Sequence, residues 1–209
     1  MLVRTRVYID GFNLYYGALR RTPYRWLDPC RLSELLLPGS HIDCVKYFTA
    51  HVTARLQSPL KPQRQQTYLR ALRTLPNLEI ILGTYVNQLW RLPLASTAAD
   101  ERPRYITVRR SQEKGTDVSL GVHLVNDAHL DRFETGVIIS NDSDLLEAVR
   151  IVRSMGKRVG VLSPCKHPSR SLMREATFLK VIRAGALAES QLPTQLTDAK
   201  GPLHKPDSW

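Results

Sequence analysis

Short β-branched runs separated by stretches of helical spacing recur along most of the chain, and this alternation restricts the fold more than any other feature. Val3 to Ile9 alternates and ends at Asp10, so it reads as a first strand. Gly11-Phe12-Asn13 breaks the strand, and a helix begins at Leu14. A short helix is expected over Arg31 to Leu37, stopped by Pro38-Gly39. Cys44 to Val52 reads as a second strand, Gln63 to Leu75 as a helix with Leu69, Leu72 and Leu75 on one side, and Leu78 to Leu82 as a third strand. Thr116 to Asp131 then reads as a helix, Gly136 to Ser140 as a strand, and Asp144 to Met155 as a helix. Arg158 to Leu162 and Phe178 to Ile182 read as closing strands. Strands joined through helices form a mostly parallel sheet covered on both faces, an α/β fold.

Two regions depart from that rhythm. Tyr85 to Arg110 carries Trp90, Tyr105 and Arg91, Arg102, Arg104, Arg109 and Arg110 around the turn-like stretch ASTAADERP. It reads as a β-hairpin over residues 85–111 that projects from the body. After Arg183 the composition turns to Ala, Gln, Thr, Pro and Lys, so residues 186–209 read as a flexible tail. A chain of 209 residues with 43% hydrophobic content supports one domain, placed at residues 1–185.

The net charge of +11 favours a polyanionic partner, because each phosphate neutralised releases counterions. Charge alone does not separate nucleic acid from a membrane surface. No apolar stretch approaches the ~20 residues of a membrane-spanning helix, and MLVRTRVYID is too short and too interrupted by charge for a signal peptide. Cys30, Cys44 and Cys165 are distant and odd in number, which points to neither a zinc site nor a disulfide framework. A reducing cytoplasm is the expected setting.

In parallel folds of this kind, ligands bind beyond the carboxyl ends of the strands near the switch point of the strand order. Asp10 stands where the first strand ends, and Asp142 and Asp144 stand where GVIIS ends. Asp117 opens the helix after the hairpin. Clustered carboxylates suit hard cations such as Mg²⁺ or Mn²⁺, which prefer oxygen ligands. Asp144 and Asp117 also have structural readings. Asp144-Leu145-Leu146-Glu147 matches capping-box spacing, and Asp117 suits the positive end of a helix dipole. Asp10 has no evident capping duty.

Three blocks, VYIDGFNLYYG, EKGTDVSLGVHLV and VIISNDSDLLEAVRIVRSMGKRVGVL, occur in this order over about residues 3–163. As an ordered set they resemble the NYN branch of the PIN-like nucleases, which includes the bacterial LabA and DUF88 proteins. The resemblance implies a three-layer α/β/α fold and metal-dependent ribonuclease activity. By position it implies Asp10, Asp117 and Asp142 as the principal acids and Asp144 as a fourth, direct or through water. Asn13 and Ser140 would position the site or the substrate, and Lys114 would lie near the scissile phosphate. Many relatives carry a further acid six residues after the Asp117 position, where this chain has His123. At ~100° per residue that position lies about 240° farther round the helix, off the Asp117 face.

For substrate, single-stranded RNA needs cations for its phosphates and flat groups for its bases. Trp90, Tyr105 and Arg109 of the hairpin offer both, and on a strand Tyr105, Thr107 and Arg109 share one face while Ile106 and Val108 share the other. Trp90 and Tyr105 equally suit covering the edge of the core. Tyr15, Tyr16, Arg20, Arg21, Arg25 and Trp26 form a second basic-aromatic cluster, with core packing the better reading of Tyr15 or Tyr16. No GxGxxG follows the first strand and no GxxxxGK[ST] occurs, which excludes the dinucleotide and P-loop readings. An RNA-binding module without turnover, a DNA-directed nuclease of the same superfamily, and a homodimer paired through the hairpin stay open.

Overall fold

Strand β1 (Val3–Asp10) occupies the middle of a six-stranded sheet in the computed structural model, which describes residues 2–54, 59–95, 104–207 and 209, with Ser111 by its backbone alone. On one side of it lie β2 (Ser40–Thr49) and then β3 (Leu78–Leu82); the long hairpin is made by β4 (Thr84–Pro93) and β5 (Tyr105–Lys114). On the other side lie β6 (Thr135–Ile139), β7 (Arg158–Ser163) and β8 (Phe178–Val181). Every pairing in the six-stranded sheet is parallel. The chain moves outward from β1 to β3, then returns to β6 on the opposite side of β1. The switch point therefore lies between the carboxyl ends of β1 and β6.

Two layers of helix cover the sheet because β1 alternates. Val7 and Ile9 enter one core with Leu14 of α1 (Gly11–Leu14), Leu32 of α2 (Pro29–Leu36) and Leu69 and Leu72 of α3 (Lys61–Leu72). Tyr8 enters the other core with Leu120 and Leu124 of α4 (Thr116–His129), Val149 and Val152 of α5 (Leu146–Ser154) and Leu172 of α6 (Arg170–Glu175). Burial of a Leu or Ile side chain contributes roughly 1.5–3 kcal/mol, so these two interfaces dominate the stability of the three-layer α/β/α arrangement. A π-helical turn over Tyr15–Leu19 extends α1, and a 3-10 turn over Ser143–Leu145 leads into α5.

Helix α4 is also pinned to the sheet by charge. Asp127 is fully buried and accepts from Lys46 Nζ at 2.7 Å, Tyr8 Oη at 2.8 Å and Arg132 at 2.9 Å. Lys46 Nζ also meets His123 Nδ1 at 3.2 Å. An ammonium only donates, so Nδ1 accepts and the ring proton resides on Nε2. His123 packs edge-on against Phe48, with ring centroids 5.5 Å apart. The position that departs from the family pattern is thus tied to the buried ion cluster at the sheet.

The hairpin expected over 85–111 is present, and its strands pair in register from Thr84↔Lys114 to Pro93↔Tyr105. The turn residues 96–103, Arg102 among them, lie outside the described residues. Ile106 does not pack down: it is 44% exposed, because the hairpin stands off the body and its far half has no layer beneath it.

The flexible tail expected at 186–209 is corrected by the structure. Helix α7 (Ala184–Glu189) is followed by an antiparallel hairpin of β9 (Gln195–Asp198) and β10 (Gly201–His204). Arg70 holds Asp198 with two hydrogen bonds of 2.7 and 2.8 Å, Leu203 is buried, and Trp209 stacks at angles on Trp26 and Tyr68. Composition misleads here because a few well-spaced apolar side chains in a polar segment suffice to cover the exposed side of α3. Among the described residues no helix is long and apolar enough to cross a membrane, and all three cysteines are free and partly buried.

Candidate active site

Asp10 is the last residue of β1 and is buried, at 4% exposure. The chain turns straight into α1, and the Asn13 N–H donates to Asp10 Oδ1 at 2.9 Å. Asp10 therefore does cap a helix, a duty not evident in the sequence, since α1 is only one turn long before it widens. Gly11 makes this exit possible: a Cβ there would meet the Phe48 carbonyl oxygen and the Tyr47 ring at 2.8 Å.

From β6, Ser140 Oγ donates to Asp10 Oδ2 at 3.2 Å and accepts from the Asp142 N–H at 3.1 Å. The Asp144 N–H donates to Asp142 Oδ1 at 3.0 Å, so Asp142, rather than Asp144, caps the turn that enters α5. Asn13 Oδ1 accepts from the Asn141 N–H at 3.0 Å and so ties α1 to the β6 exit across the switch point. Asn141 extends the lattice: its Oδ1 accepts from the Ser169 N–H at 2.6 Å and its Nδ2 donates to the His167 carbonyl at 3.2 Å.

Asp117 arrives from the first turn of α4, whose preceding residue Gly115 holds φ +88° at the end of β5. A positive φ suits glycine and allows a strand to pass directly into a helix without a loop. Glu113, two residues earlier, accepts from both the backbone N–H and the hydroxyl of Thr116. Glu113 is the residue that sequence reasoning missed. Its signal was present in the spacing Glu113-Lys114-Gly115-Thr116, an acid placed to reach the free N–H groups of a helix start.

These acids lie within one another's fields. Burial pushes the Asp10 carboxyl up to about 6, helped by Asp142 and Glu113 and opposed by the bonds from Asn13 and Ser140. Burial also pushes Asp117 up to about 6, with Asp10, Glu113, Asp142 and Asp144 adding repulsion. Four expected positions and Glu113 thus share one electrostatic site. The donors are all oxygen, which fits a hard divalent cation and relief of that repulsion. Among the described residues no three such side chains form a ready-made coordination group. The chemistry is compatible with Mg²⁺, which usually keeps several waters and takes only one or two carboxylates.

The expected substrate residues separate. Lys114 is exposed beside Gly115, at the base of the hairpin. Pairing and alternation place Tyr85, Asn87, Leu89, Arg109, Glu113 and Tyr105 on one face of the hairpin. The Tyr85 ring lies 6.4 Å from Phe12, and Asn87 donates to Thr53 at 3.0 Å, so the root of this face meets the body next to α1. Trp90 stands on the opposite face with Lys114 and Arg110, whose guanidinium lies 4.8 Å from its ring centroid. Tyr105 is matched by Arg91 in the same way, at 4.8 Å. Trp90 and Tyr105 therefore do not form one stacking surface, and both are exposed rather than covering the core.

Comparison with known proteins agrees with this architecture. A sequence model of the NYN domain matches residues 4–183. A protein of Pseudomonas putida (strain DSM 28022 / S16) described as 6-hydroxy-3-succinoylpyridine 3-monooxygenase HspA is 34% identical, over 99% of this chain and 75% of its own length. The crystal structure of VPA0982, a protein of unknown function from Vibrio parahaemolyticus RIMD 2210633, aligns with a TM-score of 0.57 at 18% identity. That alignment covers 91% of this chain and 96% of the other, and the likeness is one of fold.

Proposed function

Because this chain belongs to the NYN domain family, within the PIN-like nuclease superfamily, we propose that it is a divalent-metal-dependent ribonuclease acting at the β1/β6 switch point. The observation that carries this reading is the meeting of Asp10 and Asp142 through Ser140 at the β1/β6 strand ends, with Asp10 and Asp117 both raised to about 6, first by burial and then by neighbouring acids. Such a site stores repulsion that a bound cation relieves. Asp10, Asp117, Asp142 and Asp144 would hold Mg²⁺ or Mn²⁺, directly or through water. Bound there, the cation supplies Lewis acidity toward a phosphodiester oxygen and a more acidic water.

The chain's own groups do the rest. Asn13 and Ser140 fix Asp10 through both of its oxygens. Asn141 locks the two strand exits together. Lys114 brings positive charge to the phosphate next to Asp117. Arg109 and Tyr105, on the hairpin face shared with Glu113, hold the phosphates and bases of a single strand. Selection of RNA over DNA rests on the family, and a module that binds RNA without cutting it is the outcome the test must exclude.

The test is cleavage of end-labelled single-stranded RNA by purified protein with Mn²⁺ or Mg²⁺, beside an EDTA control and Asp142→Asn. Metal-dependent cutting that disappears in the folded variant supports the reading. Salt-sensitive RNA binding without cutting replaces it with a binding module. Cutting of DNA in preference to RNA replaces the substrate.

A second reading draws on the Pseudomonas putida relative, whose name assigns it hydroxylation of a substituted pyridine. The observation in its favour is a cleft rich in aromatic side chains beside Gly11 and Phe12, directly after Asp10. Turnover of 6-hydroxy-3-succinoylpyridine under O₂ with a reduced nicotinamide as two-electron donor tests it. A lack of turnover with a range of added redox cofactors sinks it.

A further inference from the structure

An open cleft lies between α1, its π-helical extension and α3. Tyr47 and Tyr68 are buried along it, Phe12 and Tyr15 are partly buried, and Tyr16 is half exposed at 50%. Among the described residues three cations line the same space, Arg25, Lys61 and Arg64, and no Asp or Glu side chain does. The Lys61 ammonium donates to the Tyr16 hydroxyl at 3.2 Å and lies 5.7 Å from the ring centroid, so it stands at the aromatic wall. The Arg25 Nε is buried and has no hydrogen-bond partner among the described residues. That atom has no exposed surface, so a ligand in the cleft meets Arg25 only through the rest of its guanidinium.

We infer that this cleft is a binding site for one flat aromatic ring carrying an anionic group. The rings take the ring by stacking and edge contacts, while Lys61 and the Arg25 guanidinium that line the cleft take the anion. A neutral ring leaves the cationic lining without a counter-charge, and an anion without a ring leaves the tyrosines uncovered. The site is distinct from the carboxylate cluster and excludes multivalent cations by its charge. Two sources share the required chemistry: a nucleoside monophosphate, which includes the end of a nucleic-acid strand, and a free aromatic carboxylate. The inference is independent of the nuclease reading; it shares its cleft with the hydroxylation reading, and binding measured without O₂ or a reductant tests it apart from turnover.

The experiment is calorimetric titration of the full chain in EDTA at low salt with AMP, adenosine, nicotinate, nicotinamide and inorganic phosphate. AMP or nicotinate binds, and its neutral counterpart binds about tenfold more weakly or worse. Whichever anion binds identifies the source. Lys61→Gln and Tyr16→Ala each weaken binding by about fivefold or more. Both side chains lie at the mouth, and circular dichroism verifies their folding. Asp142→Asn binds as the wild type does, so failure of the nuclease reading leaves this result untouched. Equal binding of neutral and anionic partners overturns the inference. So does binding of phosphate as tightly as AMP, full affinity in Lys61→Gln, or no binding of AMP and nicotinate up to about 10 mM, where even weak specific ligands register.

Discussion

Ser140 reaches from the end of β6 to donate to Asp10 Oδ2 at the end of β1, 3.2 Å away, while its oxygen accepts from the Asp142 N–H. One hydroxyl thus holds two acids of the site in fixed relation. Partners that orient a metal-binding carboxylate are typically worth about 10–100-fold in affinity or activity. Ser140→Ala is expected to lower metal-dependent cleavage by that factor and raise the metal concentration needed for half activity. Manganese titrations of wild type and variant at equal RNA concentration measure it, and unchanged titration curves would remove Ser140 from the site.

The pH dependence has a defined direction. Asp10 and Asp117 have folded pKa values of about 6, above the ordinary 3.8. The folded chain therefore binds these protons more tightly than the unfolded chain does. The stability this gives is present below pH ~4 and is lost as pH rises through about 6. For buried Asp10 the full change is on the order of 2–3 kcal/mol; half-buried Asp117 contributes less because solvent screens it. In EDTA, the wild-type Tm should fall relative to Asp10→Asn between about pH 4.5 and pH 7.5, and Mn²⁺ should restore it at the upper end. A constant difference between the two proteins across that range would contradict the shifted ionisation.

Asp127 ties α4, the helix that carries Asp117, to the sheet through Lys46 and Tyr8, and also accepts from Arg132. Removing one partner of a buried ion pair strands the other charge, at a cost of roughly 3–5 kcal/mol. Asp127→Ala should therefore unfold at markedly lower denaturant concentration, with Lys46 left buried without a counter-charge and held by His123. Replacing Lys46 by Met together with Asp127→Leu should recover part of the loss, though Arg132 and Tyr8 still lose their acceptor. Equal midpoints for wild type and Asp127→Ala in urea would show that the cluster is dispensable.

The two faces of the hairpin should behave differently. Arg109 and Tyr105 share the face of Glu113, whereas Trp90 lies on the other. Arg109→Ala should weaken RNA binding and reduce the salt slope by about 1. Tyr105→Ala should weaken binding with the slope unchanged, and Trp90→Ala should do so least. Fluorescence anisotropy of labelled RNA across a salt series separates these effects; a larger loss for Trp90→Ala would reverse the assigned face.

Much of this molecule follows from the order of its residues alone. The β-branched runs of β1, β3, β6 and β7 are short, bounded and separated by helical spacing, so local preference and the crossover rule together specify a parallel sheet. The alternation within β1 divides Tyr8 from Val7 and Ile9, and so specifies helices on both faces. The strand-end rule then points to Asp10, Asp142 and Asp144 before any coordinates are known. Other features depend on distant contacts that carry no local signal. Asp10 and Ser140 are 130 residues apart, and only the sheet order β2-β1-β6 places them side by side. Glu113 joins the site because the left-handed Gly115 turns β5 directly into α4. The separation of Trp90 from Tyr105 comes from hairpin register, which one residue of slip would reverse. Residues 186–209 look loose by composition, yet Gln195–Asp198 and Gly201–His204 pair as strands and Trp209 packs, because Trp26, Tyr68 and Arg70 offer a surface that belongs to other parts of the chain. The sequence by itself determined the elements, their layers and the strand ends that carry acid; tertiary structure decided which side chains meet, because burial, repulsion and unmatched donors exist only once distant segments share one space.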